Sequence, residues 1–300
     1  MRIELKPLAE QVVVVVGATS GIGRATALAA GRAGARVVAA ARGEVALATL
    51  AGELDSAAVA TVRADAGHAD DMEAVARAAV ERFGRIDTWA HVAGVGEFAR
   101  FEDHTPDELR KVVEVDLLGP MYGARAALPH LRREGRGALV IVSSETARRA
   151  FPLLSAYCAA KHGVDGFVEA LRAELQHDGV PVSLTQVLPG AVATPFFEHA
   201  RTRLGVRPSG PPPVVRAERV AAAILQAAEH PRREIVVGGA ARMQLALQRL
   251  SPRLVDAVVA RTAFRLERSD EPKRPADPDT LDEPWEGDDR VRGVVTTTRR

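Results

Sequence analysis

The chain has 300 residues, 47% of them apolar, which suffices for one large α/β domain with an extensive core. Its formal net charge is +1, and its basic residues form no stripe of the kind that binds nucleic acid. Cys158 is the only cysteine, which excludes an intrachain disulfide and a cysteine-based zinc site and fits a reducing compartment. The N-terminus lacks the apolar segment of a signal peptide, and no apolar run could span a membrane. We therefore expect a cytoplasmic protein with no nucleic-acid partner, no membrane span and no metal.

Short β-branched runs alternate with longer alanine-rich stretches as far as about residue 240. This alternation is typical of βαβ units, and it predicts an α/β fold with one doubly wound, Rossmann-type domain and a mostly parallel sheet of seven strands. The predicted strands are Gln11–Val16, Arg36–Ala40, Ala58–Arg63, Ile86–Val92, Ala138–Val142, Val182–Val187 and Glu234–Val237. The predicted helices are 22–33, 44–54, 69–83, 105–133, 155–178 and 216–229.

The pattern divides the chain into three parts. Residues 1–240 are the predicted dinucleotide-binding and catalytic domain, in which the proline-rich segment 195–215 suits a loop that covers a site at the carboxyl edge of the sheet. Residues 241–268 are predicted as an amphipathic helical extension that packs on the domain or on a partner subunit. Attachment to a membrane surface is the alternative, since arginines flank this stretch. Residues 269–300 are rich in Pro, Asp and Glu and predict a poorly ordered or surface-draped tail. The apolar side of the extension comprises Leu245, Leu250, Leu254, Val258 and Val259.

A glycine-rich turn follows the first predicted strand. Its glycines are Gly17, Gly21 and Gly23, and the chain continues from them into a helix. Glycine permits a tight turn and lets a diphosphate approach the backbone, while the first amides of the helix face the anion. Three glycines between a strand and a helix therefore predict a dinucleotide site.

The end of the second predicted strand bears on the choice of cofactor. An acidic residue at this point would accept the adenosine ribose hydroxyls of NAD. The chain has Arg42 there and no carboxylate. Its guanidinium, together with that of Arg24, could hold a 2′-phosphate as a planar fork. We therefore expect NADP(H) in preference to NAD(H); the alternative is that each arginine is a solvated surface side chain.

Tyr157 and Lys161 form the motif that most clearly predicts chemistry. Tyr157 is one of two tyrosines in the chain, and Lys161 follows it by four residues in a predicted helix. Residues at this spacing share one face of a helix. A cation beside a phenol favours the phenolate, which allows the tyrosine to act as an acid or a base near neutral pH. For an isolated Tyr-x-x-x-Lys, a surface lysine beside a packed tyrosine is the alternative.

Together these motifs resemble the classical short-chain dehydrogenase/reductase family over about residues 8–240. The resemblance implies an oxidoreductase that transfers hydride between a nicotinamide and a carbonyl or secondary alcohol substrate. Beyond Ser155 the chain is similar to a bacterial branch of the family, and that similarity implies no particular substrate. The matching pieces occur in the family's order: Gly17 to Gly23, Asp65, Ala93-Gly94, Ser143-Ser144, Tyr157-Cys-Ala-Ala-Lys161 and Pro189-Gly-Ala-Val-Ala-Thr194.

The resemblance also implies a role for each matching residue. Tyr157 corresponds to the general acid that protonates the carbonyl oxygen, and Lys161 to the group that lowers its pKa and bonds the nicotinamide ribose. Ser144 corresponds to the serine that donates a hydrogen bond to the developing oxyanion. Asp65 would contact the adenine and Thr194 the nicotinamide carboxamide. The full set of implied cofactor-binding residues is Gly17, Thr19, Ser20, Gly21, Ile22, Gly23, Arg42, Asp65, Ala93, Gly94, Tyr157, Lys161, Pro189, Gly190, Val192 and Thr194.

Two positions depart from the family pattern. His91 replaces an asparagine that mainly ties strands together, so we expect a buried, hydrogen-bonding histidine. Asp116 replaces an asparagine whose backbone carbonyl is thought to hold a water that connects to the lysine. The aspartate could keep this relay, and we count it with the catalytic residues. Its carboxylate would hold Lys161 charged and tend to raise the pKa of Tyr157.

The function that the sequence favours is an NADP(H)-dependent carbonyl reductase or alcohol dehydrogenase for a lipophilic small molecule. One alternative is a non-catalytic dinucleotide-sensing or assembly module, since a fold does not fix a function. Another is an epimerase or dehydratase that uses transient oxidation. Helices 105–133 and 155–178 resemble those at the family's subunit interface, so we expect a homodimer or homotetramer. The expected substrate pocket comprises Val95, Phe151, Leu153, Phe196 and Phe197.

Overall fold

The computed structural model of the chain describes residues 3–294. Seven parallel strands form a central sheet. They are β1 (Val12–Val16), β2 (Arg36–Ala41), β3 (Val59–Arg63), β4 (Thr88–His91), β5 (Gly137–Val142), β6 (Val182–Pro189) and β7 (Glu234–Val237). Their spatial order is β7-β6-β5-β4-β1-β2-β3, which confirms the predicted doubly wound, Rossmann-type fold.

Helices cover both faces of the sheet, and each predicted helix and strand occurs within about two residues of its predicted bounds. The helices are α1 (Gly21–Arg32), α2 (Glu44–Gly52), α3 (Ala69–Phe83), α4 (Pro106–Val113), α5 (Gly119–Arg133), α6 (Ser155–His177), α7 (Phe196–His199), α8 (Ala217–Glu229), α9 (Gly239–Leu250) and α10 (Pro252–Leu266). The first eight belong to the domain, and α9 and α10 form the helical extension.

The middle of the sheet explains why its strands are continuous apolar runs. All five valines of β1 are buried, because β1 has strands on both sides and helices on both faces. Val12, Val14 and Val16 belong to one core cluster, and Val13 and Val15 to a cluster on the opposite face. Strand β1 pairs with β2 on one side and with β4 on the other. The chain order reverses at this point, which opens a crevice at the carboxyl ends of β1 and β4.

A π-helical turn interrupts the helix that the sequence predicts over 105–133. The turn spans Glu114–Leu118 and joins α4 to α5 without a break. Asp116 lies at its centre and is fully buried. Such wide turns are uncommon within α-helices and often occur at functional sites. In this chain the turn brings the carboxylate of Asp116 beneath the crevice.

The helical extension leaves most of its apolar side uncovered. Val255 and Ala263 are buried, whereas Leu250, Leu254 and Val258 are exposed. The apolar side that the sequence predicts therefore makes little contact with the rest of this chain over residues 3–294. None of the helices in these residues is long and apolar enough to cross a membrane.

The C-terminal tail lies across the carboxyl edge of the sheet. Arg268–Pro272 forms a short strand antiparallel to Val206–Pro208, which belongs to the proline-rich loop. Further along, Leu281 is buried among Val95, Val112 and other apolar residues beside the crevice. The tail that the sequence predicts over 269–300 follows this path as far as residue 294, and residues 295–300 lie outside the described range.

Replacing Leu281 by alanine should release the tail. This side chain is 1% exposed, and truncation of a buried leucine costs about 2–5 kcal/mol. Because the tail has few other buried apolar contacts, we expect local opening rather than global unfolding. The amide of Gly21 donates a hydrogen bond to the Arg290 carbonyl (3.0 Å), so hydrogen exchange at Gly21 should accelerate. Leu254→Ala, at a side chain that is 60% exposed, is the control. Equal protection of Gly21 in both variants would contradict docking through Leu281.

Candidate active site

One cleft extends along the carboxyl ends of β1, β4, β5 and β6. Every site residue that the sequence predicts lines it, apart from Asp116, which lies behind Lys161. The proline-rich loop and the tail form its outer wall through residues such as Phe196, Trp285 and Asp288. The expected lining by Val95, Phe151, Phe196 and Phe197 is present, but Leu153 does not line the cleft. Leu153 has a φ of 68°, and the lining residue of this segment is the next one, Leu154.

The glycine turn has the shape of a phosphate cradle. A side chain on Gly17, which has a φ of 86°, would place its Cβ 2.7 Å from the backbone of Ala93. A Cβ on Gly23 would lie 1.9 Å from the Gly17 carbonyl oxygen. The amides of Ile22 and Gly23, in the first turn of α1, have no hydrogen-bond partner among residues 3–294. Unpaired amides at a helix N-terminus fit an anionic diphosphate.

Arg42 is held in position by the tail. Its Nη1 donates to the carbonyls of Leu281 (3.3 Å) and Asp282 (3.0 Å), and its Nη2 donates to that of Thr280. The guanidinium has five N–H donors. The Nε–H and the second Nη2–H have no partner in the part of the chain that the structure describes. The Nε–H lies on the edge of the guanidinium that it shares with Nη2, the edge with which Arg201 binds a carboxylate. Arg42 therefore retains unpaired donors for an anion.

Arg24 is not placed as the second arm of a phosphate clamp. Its side chain is buried, and its guanidinium forms an ion pair with Glu53 and a 3.5 Å contact with Asp289 of the tail. The sequence could not show this pairing because Glu53 lies at the far end of α2. The guanidinium is therefore already neutralised within the protein, and Arg42 is the basic residue at this end of the cleft that retains free donors.

Asp65 lies at the carboxyl end of β3, where the sequence predicts an adenine contact. Burial alone would raise the pKa of Asp65, but the Gly67 amide, Lys111 and Arg42 lower it below its ordinary value. The Gly67 amide donates to Oδ1 (2.9 Å) and the Lys111 ammonium to Oδ2 (3.0 Å). The carboxylate is thus ionised and fixed in orientation.

Ser144, Tyr157 and Lys161 converge in the middle of the cleft. Ser144 lies just beyond β5, and its hydroxyl accepts a hydrogen bond from the Thr146 amide (3.1 Å). Tyr157 and Lys161 lie one turn apart on α6, with the Lys161 ammonium 5.3 Å from the centre of the phenol ring. The Tyr157 ring in turn packs against Phe196 of the proline-rich loop. The arrangement provides a hydroxyl donor, a phenol and a cation around one space.

Asp116 pairs with Lys161 from behind the cleft. The distance from Oδ1 to the Lys161 Nζ is 2.9 Å, and the Val95 amide donates to Oδ2 (3.2 Å). Burial raises the pKa of Asp116, although Lys161 and Val95 oppose the rise. Burial would lower the pKa of Lys161, but Asp116 and Tyr157 reverse this effect and raise it. The lysine is therefore held in its charged form.

The pKa of Tyr157 results from opposing influences. Burial raises it to about 12; Lys161 and a hydrogen bond with Ser144 oppose this rise, and the charge of Asp116 adds to it. At neutral pH the phenol therefore carries its proton. A positive charge close to the phenol from a second source would lower the pKa further, because it favours the phenolate.

His91 is buried as predicted, but it does not form the predicted hydrogen bonds. Neither ring nitrogen has a hydrogen-bond partner within residues 3–294. Burial and the nearby Lys161 lower its pKa to about 3, so the imidazole is neutral. The ring fills the space beside Gly123, where an added Cβ would lie 2.6 Å from Nδ1. Its role in this fold is packing.

Several cleft residues are not evident from the sequence. The His199 Nε2–H donates a hydrogen bond to the Asp288 carboxylate (2.8 Å), and the ring packs on Trp285, so the loop and the tail join over the cleft. Glu145 and Glu267 are two further lining residues. A signal for Glu145 is its position next to Ser144, whereas nothing in the local pattern around Glu267 or the tail points to a site.

Comparison with known proteins gives a consistent result. The family described as short chain dehydrogenase matches residues 11–205. The uncharacterized oxidoreductase YxnA of Bacillus subtilis is 38% identical over 284 residues, which cover 93% of this chain and 80% of that protein. A short chain dehydrogenase/reductase of Burkholderia phymatum, solved in complex with NAD, has a TM-score of 0.74 and 25% identity over 83% of this chain and 96% of its own. An alcohol dehydrogenase of Thermococcus sibiricus, solved with 5-hydroxy-NADP, has a TM-score of 0.66 and 26% identity over 76% of this chain and 95% of its own.

Asp116→Asn should lower the pKa of Tyr157. The change removes a negative charge near the phenol while the ammonium of Lys161 remains beside it. Since the chain has two tyrosines, difference spectra against Tyr157→Phe isolate the tyrosinate signal of Tyr157 in an alkaline titration. We expect its midpoint at lower pH than in the unaltered protein, and turnover within about tenfold of it. A midpoint at higher pH would contradict the electrostatic role of Asp116. A loss of turnover much larger than tenfold would show that the carboxylate takes part in the reaction.

Proposed function

The chain belongs to the short-chain dehydrogenase family, and we propose that it is an NADP(H)-dependent oxidoreductase acting on a carbonyl or secondary alcohol substrate. Membership of the family makes it a nicotinamide-dependent dehydrogenase or reductase, which favours an enzyme over a sensing or assembly module. The observation that carries the finer proposal is the convergence of Ser144, Tyr157 and Lys161 in the cleft that also contains the phosphate cradle.

The cofactor supplies or accepts the hydride when it is bound. The residues that fit it are the free amides of α1 at the diphosphate, Asp65 at the adenine, and Lys161 and Thr194 at the nicotinamide end of the cleft. Lys161 lies in the second turn of α6, and the others lie shortly beyond the carboxyl ends of different strands. An extended dinucleotide is the ligand that such a spread of contacts suits.

Tyr157 provides the proton in the reduction. With a pKa of about 12, its phenol is protonated at neutral pH, the state that a proton donor requires. The phenolate that remains after donation is stabilised by the Lys161 ammonium. The Ser144 hydroxyl donates its hydrogen bond to the substrate oxygen and so positions it beside Tyr157. In the direction of oxidation, the Tyr157 phenolate, which the Lys161 ammonium stabilises, accepts the proton of the alcohol.

The preference for NADP(H) rests on the free edge of Arg42. Its Nε–H and second Nη2–H can bind a 2′-phosphate in a bidentate manner, while the carbonyls of the tail fix the opposite side of the guanidinium. The residue that directly follows β2 is Arg42 and not a carboxylate that would accept ribose hydroxyls. Of two similar solved structures, one holds an NADP derivative and the other holds NAD. The proposed preference for NADP(H) therefore rests on Arg42 itself.

Tyr157→Phe should abolish most of the turnover. The change removes the transferable proton and keeps the ring, and loss of a positioned acid costs about 10²–10⁴-fold in rate. The measurement is oxidation of NADPH with a ketone found in a screen. Tyr122→Phe, at the other tyrosine, is the matched control and should retain the rate. A Tyr157→Phe variant that binds NADPH normally and keeps most of its turnover would contradict the acid–base role.

Arg42→Ala should weaken NADPH binding by about tenfold or more, because a bidentate contact to the phosphate is lost. Binding of NADH, which has no 2′-phosphate, should change little. Calorimetric titration with each cofactor measures both constants. Arg63→Ala, at a side chain that is 70% exposed, controls for the loss of one surface charge. Equal losses for NADPH and NADH would contradict the 2′-phosphate contact.

A further inference from the structure

Two glutamates line the cleft, and neither carboxyl group has a hydrogen bond or an ion pair among residues 3–294. Glu267 lies directly after α10, is 2% exposed, and has an Oε2 without any hydrogen bond over residues 3–294. Glu145 follows Ser144 and is 8% exposed. The described residues provide neither a hydrogen bond nor an ion pair to the Glu145 carboxylate. Two acidic groups without partners among residues 3–294 therefore lie in one cleft, and the Glu145 carboxylate is close to Gly190, where an added Cβ would lie 3.5 Å from Oε1.

Burying a carboxyl group without a hydrogen-bond or ion-pair partner costs free energy. A buried carboxyl group that finds no partner loses its hydration without compensation, and buried charges in proteins are normally paired. Burial alone raises the pKa of Glu267 to about 9 and that of Glu145 to about 7. Burial is the cause of both shifts. Residues 3–294 provide no partner that offsets this cost, so a ligand that enters the cleft is the candidate partner.

The surroundings indicate the charge of that partner. Glu267 lies near Cys158, and aromatic rings of Phe151, Phe196 and Phe197 line the same side of the cleft. In apolar surroundings the attraction between a carboxylate and a cation is much stronger than in water. Ring faces also attract organic cations. An anionic substrate would meet two acidic groups, and a purely apolar substrate would leave both without a partner.

We propose that Glu145 and Glu267 bind a cationic amino group of the substrate, so that the natural substrate is an amino ketone, an amino aldehyde or the corresponding amino alcohol. This proposal rests on the proposed function of the same cleft. The reacting carbonyl lies at Ser144 and Tyr157, and the ammonium lies at the acidic groups. Glu267 belongs to the C-terminal extension, which thereby contributes directly to the choice of substrate.

The test uses two ketones that differ in one charged atom. In 6-(dimethylamino)hexan-2-one a protonated nitrogen occupies the place of the branching carbon of 7-methyloctan-2-one. Their longer and shorter homologues cover other distances between the carbonyl and the amine. Binding of each ketone is measured by calorimetry on the full-length protein saturated with NADP⁺, which requires no turnover, and kcat/KM is measured separately with NADPH.

We expect the cationic ketone to bind at least about tenfold more tightly than its neutral counterpart. Glu267→Gln and Glu145→Gln should each reduce this ratio, and the double variant should abolish it. Glu169→Gln, at a side chain that is 60% exposed, is the matched control and should leave the ratio unchanged. Near-isosteric glutamine keeps the volume of the side chain, so a change in the ratio reports the carboxyl group rather than packing.

The outcomes separate this proposal from the proposed function. Equal binding of the two ketones across the homologues, or a ratio that both glutamine variants leave intact, would overturn the assignment of the acidic groups. A binding preference for the cationic ketone without consumption of NADPH would support that assignment and contradict the proposed reaction. Turnover of both ketones with no preference for the cationic one would support the proposed reaction and contradict the assignment of the acidic groups.

Discussion

Lys161 carries a buried charge, and the arrangement of the cleft depends on how that charge is compensated. An ammonium without a partner in this position would cost several kcal/mol. The Asp116 carboxylate provides the partner at 2.9 Å, and the π-helical turn provides the space for Asp116. Gly94 is part of the same constraint, because a Cβ there would lie 2.8 Å from the Asp116 Oδ1. The charge is thus fixed from behind, and its free side faces Tyr157.

The cleft is electrically asymmetric along its length. At one end, the first amides of α1 and the free edge of Arg42 favour negative groups. At the other end, Glu145 and Glu267 are acidic groups without a hydrogen bond or ion pair among the described residues. The phenol of Tyr157 lies between the two ends. A cofactor and a substrate that together are anionic at the Arg42 end and cationic at the glutamate end would match this field. The reversed orientation would place like charges together and would be disfavoured.

Much of this architecture is predictable because its signals are local. The valines of β1 predict a central strand, and the glycines after it predict the phosphate cradle. The π-helical turn is not predictable in this way, since one extra residue in a turn hardly alters the apolar periodicity of a helix. The neutralisation of Arg24 by Glu53 and the placement of Glu267 also escape local signals, because each depends on contacts between distant segments. Subunit assembly through α4, α5 and α6 stays a prediction, as does the cytoplasmic location.

The path of the tail bears on the order in which the sheet and the covered cleft can form during synthesis. The tail contacts Gly21 and Arg42 through residues 280–290, so these hydrogen bonds join positions separated by most of the chain. The last strand of the sheet ends at Val237, and the domain can pair all its strands before Arg290 has been synthesised. At a translation rate of about 5–20 residues per second, that interval lasts roughly 3–10 s. During synthesis the sheet is therefore complete while the cleft is still open along the edge that the tail will cover.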